Sequence, residues 1–433
     1  MKNILIKNGH VIDPSQGVDG MFNITVTDGK IAWVGKGDPT QDNFETIDAS
    51  GHIVTPGFID LHTHLRQPGF ENKETIASGT KAAARGGFTT VCAMPNTNPV
   101  IDNRQTIDYV NSVALNEAVV RVLPIGCITK GRQGESLANL AEMADAGVIG
   151  FSDDGSSVPG ARLLKQAMEY CTDIGLPIME HCEDCSLAEG SQVNEGLIAT
   201  RLGLAGIPNA AEDIIVARDI ALARLTGARL HLCHISTRGA VELIRHAKTN
   251  GVKVTAEVTP HHLTLTEERA LGFDTSAKVN PPLRTQADID ALVEGLSDGT
   301  LDAIATDHAP HTDTDKCCEF ALAPFGISGL ETALGSLMKL VHSSKLSLPV
   351  IIDKLTAAPA RIIGNKHGIS GSLKVGNPAD IVIFDPDAEW MVDTTKFASR
   401  GRNTPLAGEI LKGRVIMTIF GGNVVFQEEL KGR

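Results

Sequence analysis

The sequence predicts an α/β fold: a (β/α)₈ TIM barrel with a small β-sandwich domain built from both termini. Three observations predict it. Short apolar runs alternate with amphipathic stretches eight times through the middle of the chain. The two ends share another texture, alternating apolar and polar residues broken by Gly and Asp. At 433 residues the chain is too long for one ordinary domain but fits a large barrel with an appended smaller one.

Residues 1–53 carry NILIKNGHVI, NITVTDGKIAWVG and ETIDASGHIV, which read as antiparallel strands with hairpin turns. Residues 366–433 carry GSLKVGNPADIVIFD and GRVIMTIFGGNVVF in the same style. The two segments are expected to pair, leaving residues 54–365 as the barrel. There the strands read VTPGFIDLH, FTTVCAM, VRVLPIG, GVIGFSD, PIMEH, RLHLCHI, KVTAEVT and DAIATD. Helical stretches between them include ETIASGTKAAARG, ARLLKQAMEYCTDIG and AAEDIIVARDIALARLTG. An open doubly wound sheet is the alternative. It is disfavoured because no GxGxxG turn opens the first helix.

Composition narrows the function. Apolar residues make up 42%, enough for a sizeable core, and with aromatics at 4% its packing must be aliphatic. Lys and Arg total 39 against 52 Asp and Glu, a formal charge of −13. Such a surface repels phosphate backbones and anionic lipid, so no nucleic acid or membrane partner is expected. No apolar stretch reaches the roughly 18 residues of a membrane span. The N-terminal MKNILIKNGHVIDPSQG lacks a signal-peptide core, and the eight Cys are scattered. The expected location is cytoplasmic, with reduced thiols, several of them buried. Cys182 and Cys185 form a CxxC without the second CxxC of a zinc knuckle, which favours plain thiols.

What ends each strand points to chemistry. Strand 1 ends DLHTHLR, strand 4 FSDDG, strand 5 MEHCE, strand 6 CHIST and strand 8 ATDHAPH. C-terminal strand ends form the active face of such a barrel, so these groups should converge. His62 and His64 stand at i and i+2 on a strand and face one side. A lone His is more often a satisfied core residue, but His62, His64, His181 and His234 with strand-end Asp form a metal-competent set. Four His suit a borderline ion such as Zn²⁺, with a carboxylate to bridge if two ions are bound. FSDDG offers Asp153 or Asp154. Neighbours on a strand point oppositely, so one is a ligand and the other caps the turn; spacing does not choose. Asp307 is expected to bind metal and move a proton, against plain ligation or a structural role.

Loop residues suggest an anionic substrate. Arg66 follows the HxH and could pair bidentately with a carboxylate. Asn96, Asn280 and His311 lie in MPNTNP, KVNPPLR and ATDHAPH; each alone reads as a turn or cap residue. His261 and His262 in TPHHL read as supporting or packing groups. His308 should point away from Asp307. His10, His52, His231, His246, His342 and His367 read as ordinary histidines.

Together GFIDLHTHLRQPG, MPNTNP, FSDDG, HCE, HIST, EVTPHHL, KVNPPLR, IATDHAPH and APFGISGLET resemble the class I dihydroorotases, over essentially the whole chain. The resemblance implies zinc, two ions per subunit, held by His62, His64, Asp154, His181, His234 and Asp307. It picks Asp154 as the bridge, where hydantoinases and allantoinases use a carboxylated Lys. It implies Asp307 as catalytic acid–base. Substrate contacts would come from His64, Arg66, Asn96, Asn280, His311 and the Phe325–Gly326 backbone, with Arg66, Asn96 and His311 on the α-carboxylate. The implied reaction is reversible cyclisation of N-carbamoyl-L-aspartate to L-dihydroorotate plus water in pyrimidine synthesis, driven by a metal-activated hydroxide. TDTDKCCEFALA, between His311 and Pro324, is an expected lid, with Cys317 and Cys318 exposed. A homo-oligomer is expected, and aspartate carbamoyltransferase is the partner the resemblance suggests. The rivals are a hydantoinase- or allantoinase-like enzyme, a deaminase using Glu257 as its acid, and a non-catalytic scaffold. The last is disfavoured because every expected ligand is present.

Overall fold

The computed structural model describes residues 3–37, 39, 43–364 and 367–428. At the N-terminus, β1 (Ile4–Asp13), β2 (Val18–Thr27) and β3 (Lys30–Gly35) form an antiparallel meander. β4 (Glu45–Asp48) and β5 (Ile53–Pro56) then both pair parallel to β1.

At Gly57 the chain changes sheet. The run VTPGFIDLH, expected as one strand, is two. Pro56 ends β5, and β6 (Phe58–Thr63) begins a parallel series. Only glycine fits between them: a Cβ on Gly57 would lie 2.1 Å from Thr89 Oγ1. β6 pairs with β7 (Phe88–Ala93), and β7 with β8 (Arg121–Pro124). The fourth expected strand, GVIGFSD, is reduced to single bridges from Phe151 to Gly126 and to Ile178. β9 (Ile178–Glu180) follows, then the short parallel pair β10 (Val193–Asn194) and β11 (Gly206–Ile207). β12 (Leu230–Leu232), β13 (Val254–Val258) and β14 (Ala303–Ile304) continue from β9. A parallel bridge from His308 returns to Thr63 at the end of β6. Parallel pairing therefore runs from β6 through each neighbour and back to it.

Helices between these strands cover them, as in an α/β fold. Ile76–Arg85, Ala161–Ile174 and Asn209–Thr226 fall where the amphipathic stretches were read. Thr75 caps the first, accepting from Ser78 N–H in a capping box. One aliphatic core joins strand residues Phe88, Ile178, Leu230 and Val254 to helix residues Ile76, Leu164, Val216 and Ile244.

β15 (Ile381–Met391), β16 (Ile410–Phe420) and β17 (Asn423–Gln427) bring the chain back to its start. β15 pairs antiparallel with β5, so both termini share one eight-stranded sheet. Ile6, Val11, Ile24 and Val54 pack there with Ile381, Ile383 and Ile419. Asp13 ties the ends further, accepting from Leu373 N at 2.7 Å and Ser372 Oγ at 3.0 Å. The expected boundary at 365/366 lies outside the described residues. Among the described residues no helix is long and apolar enough to cross a membrane.

Candidate active site

The return of the pairing to β6 gathers residues far apart in sequence. His62 and His64 leave the end of β6 with ring centroids 5.3 Å apart. Asp154 stands just beyond Phe151, His181 after β9, His234 after β12 and Asp307 after β14. All six are buried. Asp154 Oδ1 lies 3.2 Å from His62 Nε2, 3.4 Å from His234 Nε2 and 3.8 Å from His181 Nδ1, while Oδ2 lies 3.5 Å from His64 Nε2. Asp307 Oδ1 lies 3.0 Å from His64 Nε2 and 3.6 Å from His62 Nε2. Two triplets result, His62–His64–Asp307 and His62–Asp154–His234, each with its ligand atoms within 4.8 Å of one another. His181 joins through His234, Nδ1 to Nε2 at 3.0 Å.

The donor set fits a borderline divalent ion. His62 Nε2, His181 Nε2 and His234 Nδ1 are buried without a hydrogen-bond partner, an expense that a metal would offset. Burial alone would raise both carboxylates. The surrounding imidazoles outweigh it, His62 and His234 at Asp154 and His64 at Asp307, and hold both below the ordinary carboxylate range.

Adjacent Asp153 faces elsewhere. It accepts from Ile128 N at 2.9 Å, Thr129 N at 3.1 Å and Thr129 Oγ1. Spacing left the pair level; the backbone turn between them decides.

The rings are oriented from behind. Asn96 Oδ1 lies 2.8 Å from His64 Nδ1 and holds the ring from behind, with Nε2 turned into the cluster 3.0 Å from Asp307 Oδ1. Glu257 Oε1 does the same for His62 Nδ1 at 2.9 Å, and Oε2 takes His231 Nε2 at 3.0 Å. Glu257 is fully buried, which raises a carboxyl, yet these two imidazoles hold it down to about 2. It supports ring orientation, and both its oxygens are engaged away from the cluster. Asp60 accepts from His62 N at 3.1 Å and Thr306 N at 3.0 Å, tying the ends of β6 and β14. Sequence reasoning missed Asp60 and His231 and gave Glu257 a rival's role. No local pattern marks their role, which depends on which strands lie side by side.

Backbone strain concentrates here. Arg66, His234 and Asp307 all have positive φ, at 62°, 35° and 46°. Non-glycine residues in this region cost energy and persist where surroundings over-determine them.

The expected substrate groups form one rim. Arg66 donates Nε to Pro310 O at 3.3 Å, and its Nη2 lies 3.5 Å from His311 Nε2. His311 Nε2 donates to Phe325 O at 2.9 Å, while Lys73 Nζ donates to Nδ1 at 3.3 Å. Gly326 has φ 142°, and a Cβ there would lie 2.7 Å from Ala309 O. Its N–H donates to Lys278 O at 2.9 Å. Asn280 Oδ1 is buried and unpartnered. Arg132, also unforeseen, donates to the carbonyls of Asp153 and Asp154.

The rings of His261 and His262 lie 4.5 Å apart and tilted; His262 is engaged by Thr259 Oγ1 and Pro281 O, while His261 Nε2 is buried without a partner. His308 turns away to Glu74 Oε2 at 3.2 Å. All eight cysteines are free; Cys182 is buried while Cys185, Cys317 and Cys318 are exposed. The expected lid contains a helical turn, Asp313–Lys316, capped by Thr312.

Comparison with known proteins follows the same line. A family model described as Dihydro-orotase-like matches residues 51–240. A protein named dihydroorotase from Geobacter sp. (strain M21) is 49% identical over 425 residues, covering 98% of this chain and 99% of its own. Another so named, from Pelotomaculum thermopropionicum, is 51% identical over 428 residues, covering 99% of each. Among solved structures, L-hydantoinase (dihydropyrimidinase) from Arthrobacter aurescens superposes with TM-score 0.88 at 27% identity, covering 99% of this chain and 96% of that one.

Proposed function

The chain belongs to the dihydroorotase family and has that family's function, and from this premise we propose that it is a class I enzyme interconverting N-carbamoyl-L-aspartate and L-dihydroorotate with exchange of water. The observation that carries the reading is Asp307 Oδ1 at 3.0 Å from His64 Nε2 and 3.6 Å from His62 Nε2, beside Asp154. That arrangement supports two zinc ions per subunit, which His62, His64, Asp154, His181, His234 and Asp307 would hold, Asp154 being the carboxylate that would bridge. Zinc held there would lower the pKa of water towards about 7 and polarise a carbonyl.

The chain's own residues supply the rest. Asp307 is held below the ordinary carboxylate range and so is unprotonated and free to accept a proton, and its place within reach of His62 and His64 puts it beside the reacting water. It takes the proton from the water attacking the ring amide carbon and returns it to the departing nitrogen. Arg66, Asn96 and His311 hold the α-carboxylate, Arg66 bringing a half-buried positive charge to that rim. His64, Asn280 and the Phe325–Gly326 backbone line the remaining contacts.

The cyclic order of parallel pairing supports a (β/α)₈ barrel over 54–365, and the sheet shared by both termini supports a small β-sandwich domain from 1–53 and 366–433. Cytoplasmic location, a homo-oligomer and assembly with aspartate carbamoyltransferase belong to the same proposal. The hydantoinase-like reading has the solved-structure likeness in its favour. Against it stand identities near 50% to proteins named dihydroorotase and an Asp, not a Lys, at position 154.

The test pairs metal analysis with turnover assays. Zinc-loaded protein is expected to hydrolyse dihydroorotate and cyclise carbamoyl aspartate while leaving hydantoin and allantoin untouched. No turnover of dihydroorotate by the metal-loaded protein would sink the proposal.

A further inference from the structure

Two lysines lie almost wholly buried beside the rim, Lys278 at 2% and Lys316 at 8% exposure. Burying an ammonium group is costly unless its donors are satisfied. Here each ammonium reaches carbonyl oxygens across two chain segments. Lys278 Nζ donates to Phe320 O at 2.8 Å, Ala321 O at 3.0 Å and the side-chain oxygen of Gln192. Lys316 Nζ donates back to Thr275 O at 3.0 Å and Lys278 O at 3.4 Å, and across its own loop to Pro324 O at 2.7 Å. Thr275 Oγ1 to Lys316 O at 2.7 Å and Gly326 N to Lys278 O at 2.9 Å complete a reciprocal set of ties.

The ties lead to the site. Lys278 Nζ sits 4.7 Å from the ring centroid of Phe325, fixing that residue from one side by cation–π contact. The carbonyl of Phe325 accepts from His311 Nε2, and His311 lies against Arg66. A continuous path thus runs from the two ammonium groups through Phe325 and His311 to Arg66.

We propose that Lys278 and Lys316 are positioning residues for the reaction: they staple segment 316–326 onto 275–278 and so aim Phe325, Gly326 and His311 at the anionic end of the substrate. The inference rests on the functional reading above. Neither lysine is itself a catalytic residue, for neither reaches the metal-competent cluster; each acts through the segment it holds.

The experiment uses the zinc-loaded full chain with Lys278→Met and Lys316→Met, which keep the apolar stem and remove the donors. Each is expected to raise KM for dihydroorotate roughly tenfold with a smaller change in kcat, as lost ground-state binding does. Zinc content should stay at the unsubstituted value. Amide hydrogen exchange should quicken in 317–326 and not in β6, β7, β12 or β13. Where a Met variant fails to fold, Gln at the same position keeps two N–H donors and should give an intermediate KM. Folded, zinc-loaded variants with unchanged KM overturn the proposal. So does unchanged exchange in 317–326, a readout that needs no activity. Failure of the unsubstituted protein to turn over dihydroorotate would instead strike the functional reading, leaving the exchange result to judge the staple.

Discussion

Nδ1 of His62 lies 2.9 Å from Oε1 of Glu257, a residue 195 positions away in sequence. The second oxygen of that carboxylate is held by His231 Nε2 at 3.0 Å, and His231 Nδ1 by Thr255 Oγ1 at 2.9 Å. The line of contacts fixes the orientation of the His62 ring and turns its Nε2 into the cluster. Glu257→Gln keeps the shape but weakens the acceptor. Metal affinity or activity is expected to fall by about 10–100-fold, the usual loss when a group behind a ligand is changed. Competitive zinc titration checks this; unaltered affinity would show that His62 needs no such support.

Asp153 and Asp154 make a matched pair of tests. Asp154→Asn should lose bound zinc, because its oxygens face His62, His64 and His234. Asp153→Asn should retain zinc and lose stability by about 1–3 kcal/mol, since a buried carboxylate accepting from Ile128 N, Thr129 N and Thr129 Oγ1 becomes a poorer acceptor. Metal content and urea unfolding measured on both proteins decide it. The reverse pattern would exchange their roles.

That pair also shows how far the sequence could be read. His62 and His64 were legible because strand alternation is a local rule, and their shared face needed no knowledge of the rest of the fold. Asp153 against Asp154 was not legible. The choice depends on a turn whose carbonyls are held by Arg132 and on a loop at 128–129 that arrives from elsewhere. Glu257, His231 and Asp60 were hidden for a related reason. Each looks like an ordinary polar residue in a strand until the pairing brings β6 beside β14, β14 beside β13, and β13 beside β12. At the level of fold, VTPGFIDLH reads as one apolar run. That Gly57 splits it between two sheets follows from Thr89, which leaves no room for a Cβ. The turn Asp313–Lys316 did carry a local signal, Thr312 three residues before Asp315, which is the capping-box spacing.

Asp307 is expected to carry the proton. Zinc-loaded Asp307→Asn should lose about 10²–10⁴-fold in kcat, the range for removing a positioned acid–base group. Zinc must be quantified in the same sample, because Asp307 also stands within ligand reach of His62 and His64. A fully loaded variant with undiminished kcat would remove Asp307 from the proton pathway.

His311 predicts an acid limb in stability. Burial, with Arg66, Lys316 and Lys73 around the ring, pushes it down to about 3 from an ordinary 6.5. Between those values the unfolded chain binds a proton that the folded protein refuses. Stability therefore rises with pH across this window, and the share due to His311 is lost as pH falls from about 6.5 towards 3. From pH 7 to 4.5 that share is roughly 2–3 kcal/mol at 1.36 kcal/mol per unit. His311→Gln cannot titrate, and its amide can still donate towards Phe325 O. The variant should be the less stable protein at pH 7, through its poorer fit between Phe325 O and Lys73, and should close or reverse that gap by pH 4.5. Urea unfolding of the metal-free proteins at the two pH values isolates the effect from zinc loss. A gap of equal size at both would mean that the folded protein protonates His311 as readily as the unfolded chain does, and that the cations around the ring do not hold it neutral.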